Sequence, residues 1–280
     1  MDRQSYYRAV RRKKIKQTKA VLVVKMVEQK RIAMPRIGGR KLYYLLLDEL
    51  GNIKIGRDKF FDILRANHLL IAPKRSYHIT TNSHHRFRKH QNMVRDLSIV
   101  KPAQVWAADI TYIGKREKPC YLSLITDAYS KKIVGHYVSN SLSTDGCLKA
   151  LKAANRNRIY PTNDIIHHSD RGLQYCSDEY QHLLQKSKIK CSMTQNSDPY
   201  ENAVAERVNG ILKQEFMIDT YHLDLTLMKD IVKEAIDIYN QMRPHWSNSM
   251  LTPNQIHTQN EVKIKIYKTK NSSKLLPTTA

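Results

Sequence analysis

Apolar positions change their spacing along the 280-residue chain, and the changes divide it. From Lys19 the spacing is helical: Val23, Val24, Val27 and Met34 precede Pro35, which predicts a helix ended or interrupted at the proline. Leu42, Leu45, Leu46 and Leu50 then recur at three- and four-residue steps, and Gly51 stands where a C-terminal capping glycine is expected. After a short link, Asn52–Gly56, a third helical stretch turns Phe60, Ile63 and Leu64 inward and leaves Arg57, Lys59 and Arg65 for solvent or a ligand. Helix, tight turn and basic helix predict a small helical helix-turn-helix domain over residues 20–72, whose second helix would enter a major groove. A helical bundle with ordinary surface charge is the alternative.

From Val105 the pattern becomes that of strands. Val105–Ile113, Tyr121–Thr126 and Ile133–Val138 are rich in Val, Ile, Tyr and Thr. A helix follows over Thr144–Arg158, then a short strand over Ile165–His168, a helix over Ser177–Lys186 and a strand over Ile189–Met193. Two longer helices, Asn202–Met217 and Leu225–Met242, close the unit. Three strands followed by alternating helix and strand predict an α/β core over 102–260, a mixed sheet flanked by helices. Residues 73–101 open at Pro73, carry seven Lys or Arg and predict a flexible basic linker; His84, His85 and His90 there have no second ligand pair for a zinc site. Residues 261–280 predict a loose basic tail.

Charge sharpens the picture. The formal net charge is +23, and residues 1–101 hold 25 basic against 7 acidic side chains. Residues 1–19 alone carry eight basic side chains and one acid, predicting a basic arm, either solvated or tracking a phosphate backbone. Such a field recruits polyanions, nucleic acid ahead of an acidic membrane surface. No apolar run approaches the ~18 residues of a membrane span, and the start lacks the apolar stretch of a signal peptide. Cys120, Cys147, Cys176 and Cys191 form no C-x-x-C pair, which argues against a zinc ribbon and for reduced thiols in a cytoplasm. Neither a GxxxxGK[ST] loop nor a GxGxxG turn is present, against a P-loop ATPase and a dinucleotide enzyme.

Three carboxylates occupy unusual places. Asp109 lies in a strand apolar on both faces, where a carboxylate costs several kcal/mol unless paired, protonated or metal-bound. Asp170 follows a short apolar strand and precedes Gly172, where open α/β sheets place ligands, though an Asx turn is the alternative. Glu206 and Lys213 share a helix side opposite the Val204, Val208 and Ile211 stripe, with Asn202 and Asn209 beside them; alone this reads as an ordinary amphipathic helix. Taken together, two Asp and one Glu can converge on hard divalent cations through oxygen ligands, magnesium foremost. Two such ions about 3.5–4 Å apart would clamp the attacking and leaving oxygens of an in-line phosphoryl displacement. His167 and His168 read as strand and packing residues, because hard magnesium prefers oxygen, and Asp127, at a strand end, as structural.

With 35 residues between the last two (171–205), Asp109, Asp170 and Glu206 resemble the DDE triad of transposases and retroviral integrases. The chain is similar, over most of its length, to the OrfB proteins of bacterial insertion sequences. The blocks that carry the resemblance are Trp106–Ile113, Asp127–Gly135, His168–Tyr175 and Tyr239–His245, with the helical region 36–72 like that family's helix-turn-helix segment. Many members have Asp-Asn-Ala where this chain has Glu201-Asn202-Ala203, and the stretch after His245 is longer than the common pattern. The resemblance implies a ribonuclease-H-like core and a transposase that cleaves DNA and joins a 3′-hydroxyl to target DNA. Magnesium would serve in two ions, with manganese as a substitute. Lys213 fits the family's basic position after the Glu, implicated in holding DNA near the active site. On the same reading Arg171, Arg57, Lys59 and Arg243 contact DNA. Also implied are a homo-multimer bridging two element ends, an OrfA partner or an OrfA–OrfB fusion, and a place in the bacterial cytoplasm at the nucleoid. The rivals are a ribonuclease-H-like nuclease that never joins and a helix-turn-helix regulator.

Overall fold

The computed structural model describes residues 2–72, 90–114, 119–161, 164–195 and 202–258. Five strands form one sheet: β1 Val105–Ile113, β2 Cys120–Asp127, β3 Ile133–Ser139, β4 Ile166–Ser169 and β5 Lys190–Met193, in the order β3-β2-β1-β4-β5. β1, β2 and β3 pair antiparallel, while β4 and β5 run parallel to β1. The expected mixed sheet is therefore present.

Amphipathic helices cover both faces. On one side α5 (Thr144–Arg156), α6 (Leu173–Cys176) and α7 (Asp178–Lys186) bury Leu151, Ala154, Cys176 and Leu184 against Trp106, Ala108 and Ile125. α5 comes very near the sheet, since a Cβ built on Gly135 would lie 2.3 Å from the Ala150 carbonyl oxygen. On the other side α8 (Ala203–Gln214) and α9 (Leu225–Gln241) pack Val208, Ile211, Val232 and Tyr239 with Leu122, Leu124 and Ile113.

The amino-terminal helices join this second layer. α1 (Arg3–Ala33), α2 (Gly39–Leu45), α3 (Leu47–Asn52) and α4 (Arg57–Ala66) contribute Val23, Val27, Leu42, Leu50, Phe60, Ile63 and Leu64 to the same apolar cluster as α8 and α9. α1 ends at Met34 before Pro35, as its pattern requires. Two expectations are corrected here. The helix expected from Lys19 begins at Arg3, so the exposed basic residues before Lys19 belong to the same 31-residue α1. Gly51 lies inside α3, and the left-handed capping position is Lys54, at φ 56°. There the Lys54 and Ile55 N–H groups donate to the Gly51 and Leu50 carbonyls, and the buried Ile55 closes on Leu50.

Residues 73–89 and the tail 261–280 lie outside the described residues, as do His84, His85 and Glu201. The described end of the expected linker is no free tether. The Met93 N–H donates to Ser192 Oγ at 2.9 Å, and Met193 N–H donates to the Gln91 carbonyl at 3.4 Å, so this stretch lies along β5. Unforeseen elements, a 3-10 turn over Trp246–Asn248 and α10 (Pro253–Thr258), close against the β2–β3 turn. Asp127 is wholly buried there: it accepts from the Ala103 N–H at 2.7 Å and from the Ser130 N–H and hydroxyl, and Ser130 Oγ lies 3.0 Å from His257 Nδ1 of α10. Burial alone would raise its carboxyl, but the His257 imidazole 3.7 Å away and the hydrogen bonds from Ser130 hold it below the ordinary range. The structural reading of Asp127 agrees with this.

Candidate functional site

Strand register explains why Asp109 and Asp170 meet. On the parallel pair, Val105 faces Ile166, Trp106 faces His167 and Ala107 faces His168. Continuing that offset sets Asp109 level with Asp170, just past the end of β4, on strands about 4.8 Å apart. Both belong to the face that α8 covers, since Asp109 also stands opposite Leu124 of the α8 layer.

α8 supplies the third side of the site. Asn209 is buried, and its amide donates to Asp109 Oδ2 at 2.7 Å. At the start of the helix, the buried Asn202 amide donates to the Ala108 carbonyl at 3.0 Å. Glu206, one turn before Asn209, stands in the first turn of α8 and is exposed. Lys213, one turn after Asn209, is half-buried and lowered by desolvation, while the carboxylates of Asp219 and Asp109 pull it back up. The polar side of this helix therefore borders the site at Asn209 and Lys213, while Glu206 stays open to water.

Charge confirms the grouping of side chains. Burial pushes the Asp109 carboxyl up to about 7, and the negative charge of Asp170 adds to that push, with Glu206 adding less. Hydrogen bonds from the Ile110 N–H and Asn209 work in the opposite direction. Asp170 Oδ1 accepts from the Gly172 N–H at 3.0 Å, which fixes the turn after β4. Glu206 is raised by desolvation. Beneath the pair, burial lifts the Cys147 thiol to about 12, which removes it as a thiolate at neutral pH.

The structure thus brings Asp109 and Asp170 side by side and sets Glu206 on the helix above them. It does not close the three into a ready-made cage: among the described residues no group of three His, Cys, Asp or Glu side chains is gathered to hold a metal ion. The donors that do converge are all oxygens. Asn209 adds an orphan to them, because its buried Oδ1 has no hydrogen-bond partner. An all-oxygen set of carboxylate and amide donors fits a hard divalent cation.

Other expected residues divide. Arg171 is half-buried beside Asp170, and Arg57 and Lys59 are exposed on α4, with Arg57 stacked 5.9 Å from the Phe61 ring. Arg243 is corrected. It is buried, its Nε and Nη2 donate to Glu215 at 2.8 and 2.7 Å, and its guanidinium has no face left for DNA. Lys41 of α2 completes that cluster at 2.9 Å from Glu215, whose own N-terminal-helix tie is the Arg36 N–H bonded to its carbonyl. His167 and His168 are packing residues: both are buried, His167 against the Tyr180 hydroxyl at 2.9 Å and His168 Nδ1 at 2.9 Å from Ser192 Oγ. Burial drives His167 down to about 3 and keeps it neutral. Asn209 escaped the sequence reading as a functional residue; its signal was position, three residues after Glu206 on the same helix side.

Two models described as "Integrase core domain" match the chain, over residues 100–199 and 187–253. The chain is 32% identical over 218 residues to the insertion element IS600 uncharacterized 31 kDa protein of Shigella sonnei, covering 77% of this chain and 79% of that one. It is 31% identical over 199 residues to the transposase InsF for insertion sequence IS3fB of Escherichia coli K12, covering 70% and 69%. In fold it is similar to a chain in the simian T-cell lymphotropic virus intasome in complex with PP2A regulatory subunit B56 gamma, with a TM-score of 0.50 and 19% identity over 85% of this chain and 81% of that one.

Proposed function

Since the chain belongs to the transposases of bacterial insertion sequences, enzymes with an integrase core domain on a ribonuclease-H-like sheet, we propose that Asp109, Asp170 and Glu206 are the carboxylates on which its DNA cleavage and strand transfer run. What supports this reading is the β1–β4 register, which when continued sets Asp109 of β1 level with Asp170 just past the end of β4, together with the Asn209 bond that ties α8, the helix bearing Glu206, to Asp109.

A hard divalent cation held by these oxygens, magnesium or manganese and two ions in the working complex, would supply Lewis-acid activation of water or a 3′-hydroxyl and neutralise charge on the scissile phosphate. The chain's own residues do the positioning. Asn209 fixes Asp109 through the 2.7 Å bond, and the Gly172 N–H fixes Asp170 at 3.0 Å. Glu206 is the adjustable member, because its exposed side chain can swing from the first turn of α8 toward the pair. Lys213 and Arg171 flank the carboxylates and draw scissile phosphates to them, while Arg57 and Lys59 on α4 hold duplex backbone. The nucleophile is a water or a DNA hydroxyl, so no covalent protein–DNA intermediate forms.

The working form is a homo-multimer bridging two element ends, in the bacterial cytoplasm at the nucleoid, with an OrfA protein or fusion supplying the main end recognition. Among the described residues, no helix is long and apolar enough to cross a membrane.

A strand-transfer assay with pre-cleaved ends and magnesium tests the chemistry. The intact protein should join the ends to target DNA, and Asp109→Asn should abolish cutting and joining while binding DNA with unchanged affinity. Persistent metal-dependent cleavage in Asp109→Asn removes Asp109 from the site, and cutting without joined product leaves the nuclease reading standing.

A further inference from the structure

We propose that the amino-terminal half of α1, residues 3–18, is a DNA-binding helix of its own that lies in the major groove of the duplex. The inference rests on the transposase reading only in that the partner is DNA.

Every residue from Arg3 to Thr18 is exposed, and the described bonds and ring contacts of their side chains stay within the stretch: Thr18 to the Lys14 carbonyl, Tyr6 on Tyr7, Arg3 over Tyr7. Among the described residues, no contact from the body of the protein accounts for a helix here. An isolated helix of this length is marginal in water, and this one has an apolar anchor only farther along, where Val23 and Val27 are buried. Continuity with that packed half supplies the nucleus, so the exposed half extends about 24 Å as a preformed rod.

Seven basic side chains and no acidic one lie on the rod. At 100° per residue, Arg3, Arg8, Arg11, Arg12, Lys13, Lys14 and Lys16 are spread round the whole circumference, and the widest arc between two of them, about 80° from Lys13 to Arg3, holds Tyr6, Val10 and Gln17. That distribution chooses the partner. A membrane surface selects a helix with a continuous apolar face, whereas Tyr6, Val10 and Tyr7 share their arc with Arg3 and Lys14, and Ile15 lies on another side. A second copy of the rod would meet it with like charge. A duplex major groove, about 12 Å wide, admits an α-helix and surrounds it with phosphates on both walls. A helix that is basic all round matches such an enclosure, whereas one lying across a single row of phosphates would use one face.

The test uses the full chain on a generic duplex, with binding measured against salt and dimethyl sulfate protection of guanine N7 reading the major groove. The intact protein should protect N7 positions. The variant R8Q/R11Q/R12Q/K13Q should lose part of that protection and reduce the slope of log K against log salt by about 3 to 4, at roughly 0.9 per phosphate contact. Val10→Pro keeps every charge but breaks the rod; it should lose the same N7 protections. Both changes lie outside the packed core, so thermal unfolding of the body should stay in place and certify the fold. An unchanged salt slope in the quadruple variant overturns the DNA contact. Wild-type N7 protection in Val10→Pro overturns the groove helix in favour of an unstructured arm on the backbone. Asp109→Asn, which should keep these protections while losing cleavage, separates failure of this inference from failure of the carboxylate assignment.

Discussion

Replacing Glu215 by Gln should destabilise the protein at the junction between its amino-terminal helices and its core. Glu215 caps α8, and its carboxylate accepts from Arg243 Nε at 2.8 Å, Arg243 Nη2 at 2.7 Å and Lys41 Nζ at 2.9 Å. The Arg243 side chain is only 2% exposed, and those of Lys41 and Glu215 are 18% and 19% exposed. Glutamine keeps the shape and removes the carboxylate that both cations share, leaving a buried guanidinium beside an ammonium. Breaking a buried pair in this way costs about 3–5 kcal/mol, and partial solvent access to Glu215 favours the lower end. A second route gives the same size. Burial opposes ionisation, yet Arg243 and then Lys41 hold the carboxyl at about 2, against an ordinary value near 4.5. At about 1.4 kcal/mol per pH unit, this is also about 3 kcal/mol. For a domain of this size the melting midpoint should fall by roughly 6–12 °C. The pH dependence has a definite sign. A depressed carboxyl stabilises the fold above its unfolded pKa and loses that stabilisation as pH falls through the folded value, so the gap between wild type and Glu215→Gln should be full at pH 6, shrink below about pH 5 and close near pH 2. A midpoint unchanged at pH 6, or a gap that widens toward acid, refutes the argument.

Three further outcomes follow from the geometry. Asn209→Ala removes the donor that orients Asp109 and should lower kcat for strand transfer by about 10- to 100-fold with DNA affinity intact; equal activity would remove Asn209 from the site. Gly135→Ala drives a methyl into the Ala150 carbonyl and Ala154, and should cost about 1–3 kcal/mol or more in urea unfolding. Lys54→Gly relieves a left-handed backbone and should leave the protein as stable or stabilise it by up to ~1 kcal/mol; a clear loss would mean the lysine side chain matters more than its φ.

How much of this could be read from residues alone depends on where the deciding contact lies. Asp109 was legible because a carboxylate in a strand apolar on both faces violates a local rule, and Asp170 because it ends the next parallel strand before a turn. Their shared level is fixed by pairing between β1 and β4, sixty-one positions apart, which no local pattern displays. Helix ends misled for a different reason. Gly51 suggested a stop, but the chain caps α3, α4 and α7 at Lys54, His68 and Lys188, each in the left-handed region. In each case the next residue, Ile55, Leu69 or Ile189, donates back to Leu50, Leu64 or Leu184. Apolar pairing across the cap overrides the cost of a side chain at positive φ, so the stop is written in leucine and isoleucine rather than glycine. Residues 3–18 offered no period because they are polar on every side, and their helicity is inherited from the packed turns that follow. Arg243 was misassigned because charge alone does not distinguish a DNA ligand from a buried partner of Glu215, twenty-eight residues earlier.

The same contacts divide the site into parts of unequal rigidity. Asp109 and Asp170 are set by the sheet, and α8 is pinned at both ends, by Asn202 on the Ala108 carbonyl and by Glu215 on Arg243 and Lys41. A shift of the whole helix would break buried charge pairs, so closing the gap between Glu206 and the two aspartates must fall to the Glu206 side chain itself. Its exposure permits that movement, and the mutual repulsion of three converging carboxylates would oppose it. On the proposed assignment, positive charge between the acids would favour that movement. Lys213, one turn beyond Asn209, is lowered by desolvation and drawn back by Asp219 and Asp109, and on the proposed reading it would attract a phosphate toward the pair.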